Sequence, residues 1–147
     1  MTKSLLIDND IFQDLVKFYS ETFSLPPLAA KIYAYLLFDF EKKGISFDEF
    51  VEIFSVSKSS VSSNINVLLN LKIIKDYSKI NERKRYFVVN DNFLKMRFTQ
   101  IIDRLNREIE ILDSIQEFRG KTDEKYEVYK ELMTKNINNI KNSLSKL

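Results

Sequence analysis

The chain has 147 residues, 44% of them hydrophobic and 30% charged, with a formal net charge of +2 and neither Cys nor His. That length suits one domain, or one small domain with helical extensions, and the apolar content is enough for a core; no apolar run approaches the roughly 20 residues of a membrane span, and the start MTKSLLIDND lacks the long apolar region of a secretory signal, so the reading is a cytoplasmic protein with no membrane role. The missing Cys and His remove disulfides, the common zinc sites and thiol or imidazole catalysis, and with them most enzyme classes; no cofactor or metal is expected.

Ile7, Ile11, Leu15 and Phe18 recur at helical spacing, which predicts an amphipathic helix over 8–23, an N-terminal arm with Asp8 or Asp10 near its start. Ser24-Leu25-Pro26-Pro27 then interrupts the chain, and Pro is tolerated at a first helical position because its missing N–H would be unpaired there anyway. A helix over 28–40 follows, with Ile32, Tyr35, Leu36 and Phe40 on its apolar face and Gly44 available as a left-handed cap. Ser46 and Glu49 have the spacing of a capping box, so the next helix begins there and reaches about Phe54, with Phe47, Phe50, Val51 and Phe54 inward. After the short turn Ser55-Val56-Ser57, Ser57 can cap another helix that extends to about Leu71.

Ile73 and Ile74 open an extended segment, and 86–89 is a second run of strand formers. The connection between them is polar and basic. The order helix, turn, helix, basic hairpin is the outline of a winged helix-turn-helix, which places its second helix in the DNA major groove. KKGISFDEF resembles half of a calcium loop, but with Glu49 as the twelfth position the first, third and fifth ligands fall on Phe38, Phe40 and Lys42, so calcium has no cage.

A long helix over 92–118 carries Phe98, Ile102, Leu105, Ile109 and Leu112 four and three residues apart. Gly120 ends it, and Thr122 can cap a last helix bearing Tyr126, Met133, Ile137, Ile140, Leu144 and Leu147. So narrow a stripe suits helix pairing, either on the chain's own domain or as a dimer interface. The expected fold class is mainly α with a small β-wing, in three segments: 1–24, an N-terminal helical arm; 25–90, a winged helix-turn-helix DNA-binding domain; 91–147, a C-terminal helical hairpin for dimerisation. Candidate dimerisation residues are Ile11, Leu15, Ile102, Leu105, Ile109, Leu112, Met133, Ile137, Ile140 and Leu144.

Residues 56–100 hold nine Lys/Arg against Asp76, Glu82 and Asp91, an excess of six positive charges, while the remainder of the chain is acidic by four. Positive charge therefore concentrates on the segment proposed to meet DNA. On a helical wheel of 58–71, Val61, Ile65, Leu68 and Leu69 share one sector; Ser59, Ser63, Asn66 and Asn70 lie opposite, with Ser60 and Ser62 on the flanks. Ser and Asn are mediocre helix formers, but they approach a groove closely, and Asn can pair with adenine. A plain solvated face is the alternative. Candidate DNA-contacting residues are Ser57, Lys58, Ser59, Ser60, Ser62, Ser63 and Asn66 on the helix and Arg83, Lys84 and Arg85 on the wing; in a regular strand Lys84 would face opposite to Arg83 and Arg85.

At these residues the chain resembles the MarR superfamily of bacterial regulators, and within it the GbsR-like branch. The resemblance covers 25–89: LPPLAAKIYAYLLF, then SFDEFVEIFSVSKSSVSSNINVL, then NERKRYF in the wing. It implies a homodimer with one winged domain per subunit, held by N- and C-terminal helices and often controlled by a small molecule. The branch usually has Gly where this chain has Lys72, just after the recognition helix, and where it has Asn81, at the wing turn. Phe12, Phe18, Tyr19, Phe23, Tyr33 and Tyr35 are expected to form core and dimer interface, or else an effector pocket suited to a cation. The functional expectation is a sequence-specific double-stranded DNA-binding transcriptional regulator acting as a homodimer on a pseudo-palindromic operator, open to a small-molecule effector. The alternative is a winged-helix protein-protein interaction module that does not bind DNA.

Overall fold

The computed structural model describes residues 5–147; the first four residues of the expected arm lie outside the described residues. The chain forms two compact units, one ending at Asn90 and the other spanning Asp91–Leu147. The first contains α1 (Asn9–Thr22), α2 (Pro27–Leu37), β1 (Ile45–Ser46), α3 (Phe47–Phe54), α4 (Lys58–Asn70), β2 (Ile74–Ser78) and β3 (Arg85–Val89). The second contains α5 (Phe93–Arg119) and α6 (Glu124–Leu144).

Asp8 caps α1 by accepting from the Ile11 N–H at 2.9 Å. Every residue of α1 keeps some exposure, and Ile11 and Phe18 are half exposed. Its anchor is Tyr19, whose ring meets Phe18, Phe23 and Tyr33 at centroid distances of 5.0, 5.2 and 4.8 Å. Helix α2 is its opposite: Ala29, Ala30 and the run from Ile32 through Leu36 are buried, the pattern of a helix enclosed on nearly all sides. The fully enclosed side chains around it are Phe50, Val61, Leu68, Ile73 and Phe87, each of which stabilises the fold by about 1.5–3 kcal/mol on leaving water.

The sequence expectation for the end of α2 needs correction. The helix stops at Leu37, and Phe40 is outside it and 81% exposed. Asp39 is the cause: its buried carboxylate accepts from the N–H groups of Lys43 and Gly44 at 3.1 and 2.9 Å and folds the chain into a loop. Gly44 is therefore not a helix cap. It has φ +85° and leads into β1, where a Cβ would lie 2.6 Å from the Tyr77 hydroxyl and 3.0 Å from the Tyr86 Cβ.

β1 was not anticipated. It pairs Ile45 with Phe87 and Ser46 with Tyr86, so the wing hairpin becomes a three-stranded antiparallel sheet of order β1-β3-β2. Ser46 ends the strand because its hydroxyl accepts from the Glu49 N–H at 3.3 Å and starts α3. At the other end of the motif, Lys72 occupies the left-handed region at φ +60°. Its N–H donates to Leu69 O, Ile73 N–H donates to Leu68 O, and Asn90 Nδ2 donates to the Lys72 carbonyl at 2.9 Å. This arrangement closes α4 where glycine is the residue of least strain.

In the second unit Gly120 (φ +73°) ends α5. Asp123, not Thr122, caps α6, accepting from the Lys125 N–H at 2.9 Å. The helices are tied across the hairpin by Asp113, which accepts from the Tyr126 hydroxyl at 2.6 Å and from Lys130 Nζ at 2.9 and 3.0 Å. Burial, then the Asp113 hydrogen bond and charge, push the Tyr126 phenol up to about 12. Of the expected dimerisation residues, Ile102, Met133 and Ile137 are already buried in the single chain; Leu15, Leu105, Ile109, Leu112, Ile140 and Leu144 are half-buried and Ile11 is exposed. Among the described residues no helix is long and apolar enough to cross a membrane.

A left-handed non-glycine residue costs about 1 kcal/mol. Lys72→Gly should therefore stabilise the protein in urea denaturation, by somewhat less than that because glycine also loosens the unfolded chain; Lys72→Ala, which keeps the strain, should not. A second expectation concerns alkaline pH. Folding raises the Tyr126 pKa from 10.0 to about 12, so the folded state holds that proton more tightly, and the stability linked to it is complete below pH 10 and disappears as pH rises through about 12. The melting temperature should fall less steeply across that window in Tyr126→Phe than in the parent, and identical slopes would exclude this origin.

Candidate nucleic-acid interface

Helix α4 is built around a serine cluster at its start. Ser57, in extended conformation, accepts from the Ser60 N–H at 3.1 Å and donates to Ser60 Oγ at 2.9 Å. Its Oγ also lies 3.1 Å from Ser59 Oγ. One turn later Ser63 Oγ donates to the Ser59 carbonyl at 3.0 Å. Val61, Ile65 and Leu68 are buried on one side, Leu69 is half-buried, and Lys58, Ser59, Ser62, Ser63, Asn66 and Asn70 are exposed on the other. Ser60 is half-buried, so it and Ser57 serve first as the structural start of the helix.

The turn that joins α3 to α4 is tight because Ser55 takes φ +51° and the N–H groups of Ser55 and Val56 return to Glu52 O and Val51 O. This packs the two helices of the motif against each other, with the α4 face carrying Lys58, Ser59, Ser62, Ser63 and Asn66 exposed.

Sequence reasoning missed Asn64. It is half-buried; its Oδ1 accepts from the Ala29 N–H at 3.0 Å while its Nδ2 donates to the Ser60 carbonyl at 2.7 Å. Helix α2 starts with Pro26 at its cap position and receives no side-chain cap from it, so the open N–H groups of its first turn need an acceptor from elsewhere. The Pro-Pro start was the available signal. Asn64 supplies that acceptor and in the same contact fixes α4 against the core.

In the wing, β2 and β3 pair from Ile74–Val89 to Ser78–Arg85. The loop 79–84 is closed by the Glu82 N–H donating to Lys79 O at 3.1 Å, with Asn81 at φ +65° in the third position of the turn, as a type II turn requires. Asn is among the few residues other than Gly that accept this conformation readily. Arg83 and Lys84 are exposed loop residues, and the strand begins only at Arg85. The alternation of faces expected for Arg83, Lys84 and Arg85 therefore does not extend to the first two. Arg85 lies on the strand face that carries Asp76 and Phe87: its Nε and Nη2 meet Asp76 Oδ2 at 2.9 and 2.8 Å, and its guanidinium is 5.2 Å from the Phe87 ring centre. Its charge is thus partly offset within the sheet, whereas Arg83, Lys84 and, on α4, Lys58 project from exposed positions.

No protein-family model and no curated protein sequence matches the chain. A solved structure described as a transcriptional regulator superposes with a TM-score of 0.59 at 18% identity, covering 94% of this chain and 95% of its own. S. aureus MepR in its DNA-binding conformation gives 0.47 at 17% identity, covering 90% and 91%, and a MarR protein from Peptoclostridium difficile gives 0.41 at 21%, covering 99% of each chain. The first of these likenesses shows the fold: mainly helical, with a winged helix-turn-helix and a small antiparallel sheet.

Removing the Asn64 side chain leaves the Ala29 N–H without its acceptor, a loss of about 1–2 kcal/mol. Asn64→Ala should lower stability by that amount in chemical denaturation, while Asn66→Ala, on the exposed face two residues away, should stay within about 0.5 kcal/mol of the parent. Equal effects of the two would remove the assigned role of Asn64.

Proposed function

We propose that the chain is a transcriptional regulator of the MarR superfamily, of its GbsR-like branch, that binds double-stranded DNA sequence-specifically as a homodimer. The observation that carries this reading is one compact unit that presents, on separate elements, a solvent-facing Ser/Asn helix surface and a cationic hairpin. A helix surface of that composition sacrifices helix propensity, and a wing with Lys79, Arg83 and Lys84 on one short loop suits a polyanion.

In this reading α4 enters the major groove. Lys58 meets a phosphate at the helix start, where the backbone dipole also favours an anion. Ser59, Ser62, Ser63 and Asn66 meet base edges and sugar-phosphate groups, Ser57 and Ser60 shape the start of the helix and approach the same backbone, and Arg83, Lys84 and Arg85 bring the wing to the neighbouring phosphates or minor groove. Two copies, joined through the helices outside the winged segment, would set two recognition helices about one helical turn of DNA apart on a pseudo-palindromic site. Control by a small molecule and action in the cytoplasm belong to the same proposal, and it assigns the chain no catalytic role.

Selection of bound sites from random duplexes, followed by titration across salt, tests it. An enriched two-fold-symmetric site with steeply salt-dependent affinity is expected. Arg83→Ala should weaken the selected site and random DNA alike and reduce the salt slope by about one per wing. Asn66→Ala should weaken mainly the selected site, by about 1–3 kcal/mol per half-site. Binding to every duplex that is absent or insensitive to salt would overturn the reading in favour of a protein-binding module.

A further inference from the structure

One residue of the wing turn is apolar. Ile80 is 91% exposed at the second position of the turn 79–82, inside a loop whose other members are Lys79, Asn81, Glu82, Arg83 and Lys84. The residues on either side of the tip are drawn away from it. Lys79 Nζ folds back over the Tyr86 ring at 4.0 Å from its centre. Glu82, with burial, holds the Tyr86 phenol above its ordinary value. Asn81, at φ +65°, turns the backbone between them. Ile80 is left as a bare, exposed β-branched side chain in the turn, three and four residues before the exposed cations Arg83 and Lys84.

A single exposed apolar residue on a protein surface is ordinary. This one sits in the turn that joins the two strands of a cationic hairpin, and that placement restricts what can cover it. Phosphate oxygens offer an isoleucine nothing and the major groove offers it only the thymine methyl, whereas the minor groove has sugar C–H walls and base steps that apolar wedges partly unstack. The groove is about 6 Å wide, so a turn tip can enter where the whole hairpin cannot. Arg83 and Lys84 would then lie at the phosphates that border it.

We propose that Ile80 is a minor-groove wedge: at the duplex flanking the recognition helix it inserts at a base step, bends the DNA, and makes the protein favour a flexible pyrimidine–purine step beneath each wing. This rests on the DNA-binding reading above and deepens it. The specificity it adds comes from deformability at bases the helix never touches, since TA and CA steps open more readily than A-tracts.

The test uses the full chain and the duplex that it selects. Two versions of that duplex are prepared, with a TA step or an A-tract beneath each wing, and end-to-end fluorescence transfer reports the bend. Wild-type protein is expected to bend the TA duplex and to bind it about tenfold more tightly than the A-tract duplex. Ile80→Ser, at a position exposed enough to leave the melting temperature unchanged, should lose both the bend and the preference while keeping the salt slope; Ile80→Leu should retain them. Arg83→Ala should do the reverse, lowering the salt slope and keeping the step preference. If the wild type binds its selected site but Ile80→Ser bends DNA and discriminates between the steps as the wild type does, the wedge is overturned and DNA reading stands. If the wild type binds no duplex, the DNA reading falls and the wedge with it.

Discussion

Helix α2 is enclosed by the core and begins at a Pro-Pro pair that cannot cap it, so the position of α4 is tied to the solution of a hydrogen-bonding problem elsewhere. Asn64 solves it by accepting from Ala29 and donating to Ser60. An unsatisfied buried N–H is expensive, and the bond that removes this cost also sets the depth and rotation of α4. Rotation matters because Asn64 lies between the buried Val61, Ile65 and Leu68 and the exposed Ser63 and Asn66. A helix so rich in Ser and Asn has little intrinsic stability; it persists because its apolar side is buried and its polar flank is pinned.

Tyr86 does for the wing what Asn64 does for the helix. It stacks on Tyr77 across the strand pair at 5.7 Å, receives Lys79 on its ring, and packs against the space that Gly44 leaves open. Tyr77 in turn donates to the Lys43 carbonyl, which joins the hairpin to the loop that Asp39 organises. The wing is therefore a braced hairpin whose shape is decided at its base. Arg85 belongs to this brace through Asp76 and Phe87, which leaves Arg83 and Lys84 as the cations placed at its outer end.

How much of this could be read from the sequence follows the range of the forces involved. Most helix starts were legible because caps are local: Asp8, Ser46 and Ser57 each accept an N–H from three residues on, though α6 starts on Asp123 and not on the expected Thr122. Several stops were legible too, at about Phe54, Leu71 and Gly120; the end of α2 and most of the left-handed residues that close the helices were not. With two glycines in the chain, left-handed positions fall to Ser24, Ser55 and Lys72, and what stabilises Lys72 there includes Asn90, eighteen residues distant. The same holds for α2, whose end depends on a buried Asp39, and for β1, two residues long and defined only by its pairing with β3. In the candidate site the wheel separated the buried from the exposed side of α4, yet Asn64 at the border was overlooked because its partner lies on another helix. The pairing of Arg85 with Asp76 likewise waits on the hairpin register.

The hydrogen bonds already made inside the serine cluster restrict how α4 could read DNA. Ser57 donates to Ser60 and Ser63 donates to the Ser59 carbonyl, so those O–H groups face inward and their oxygens present lone pairs outward. A hydroxyl in that state accepts; it suits the amino groups of adenine or cytosine, and it meets a phosphate only by turning its O–H outward, since a phosphate needs a donor. Donors from this surface must come from Lys58, the Asn66 amide, and hydroxyls such as Ser62 whose rotors can turn toward a partner. Each serine that instead turned its O–H to DNA would give up a local bond and gain one of similar strength, a near-neutral exchange. Net affinity would then depend on charges at the helix start and the wing and on a second copy, and the serine face would act by excluding mismatched edges more than by adding attraction.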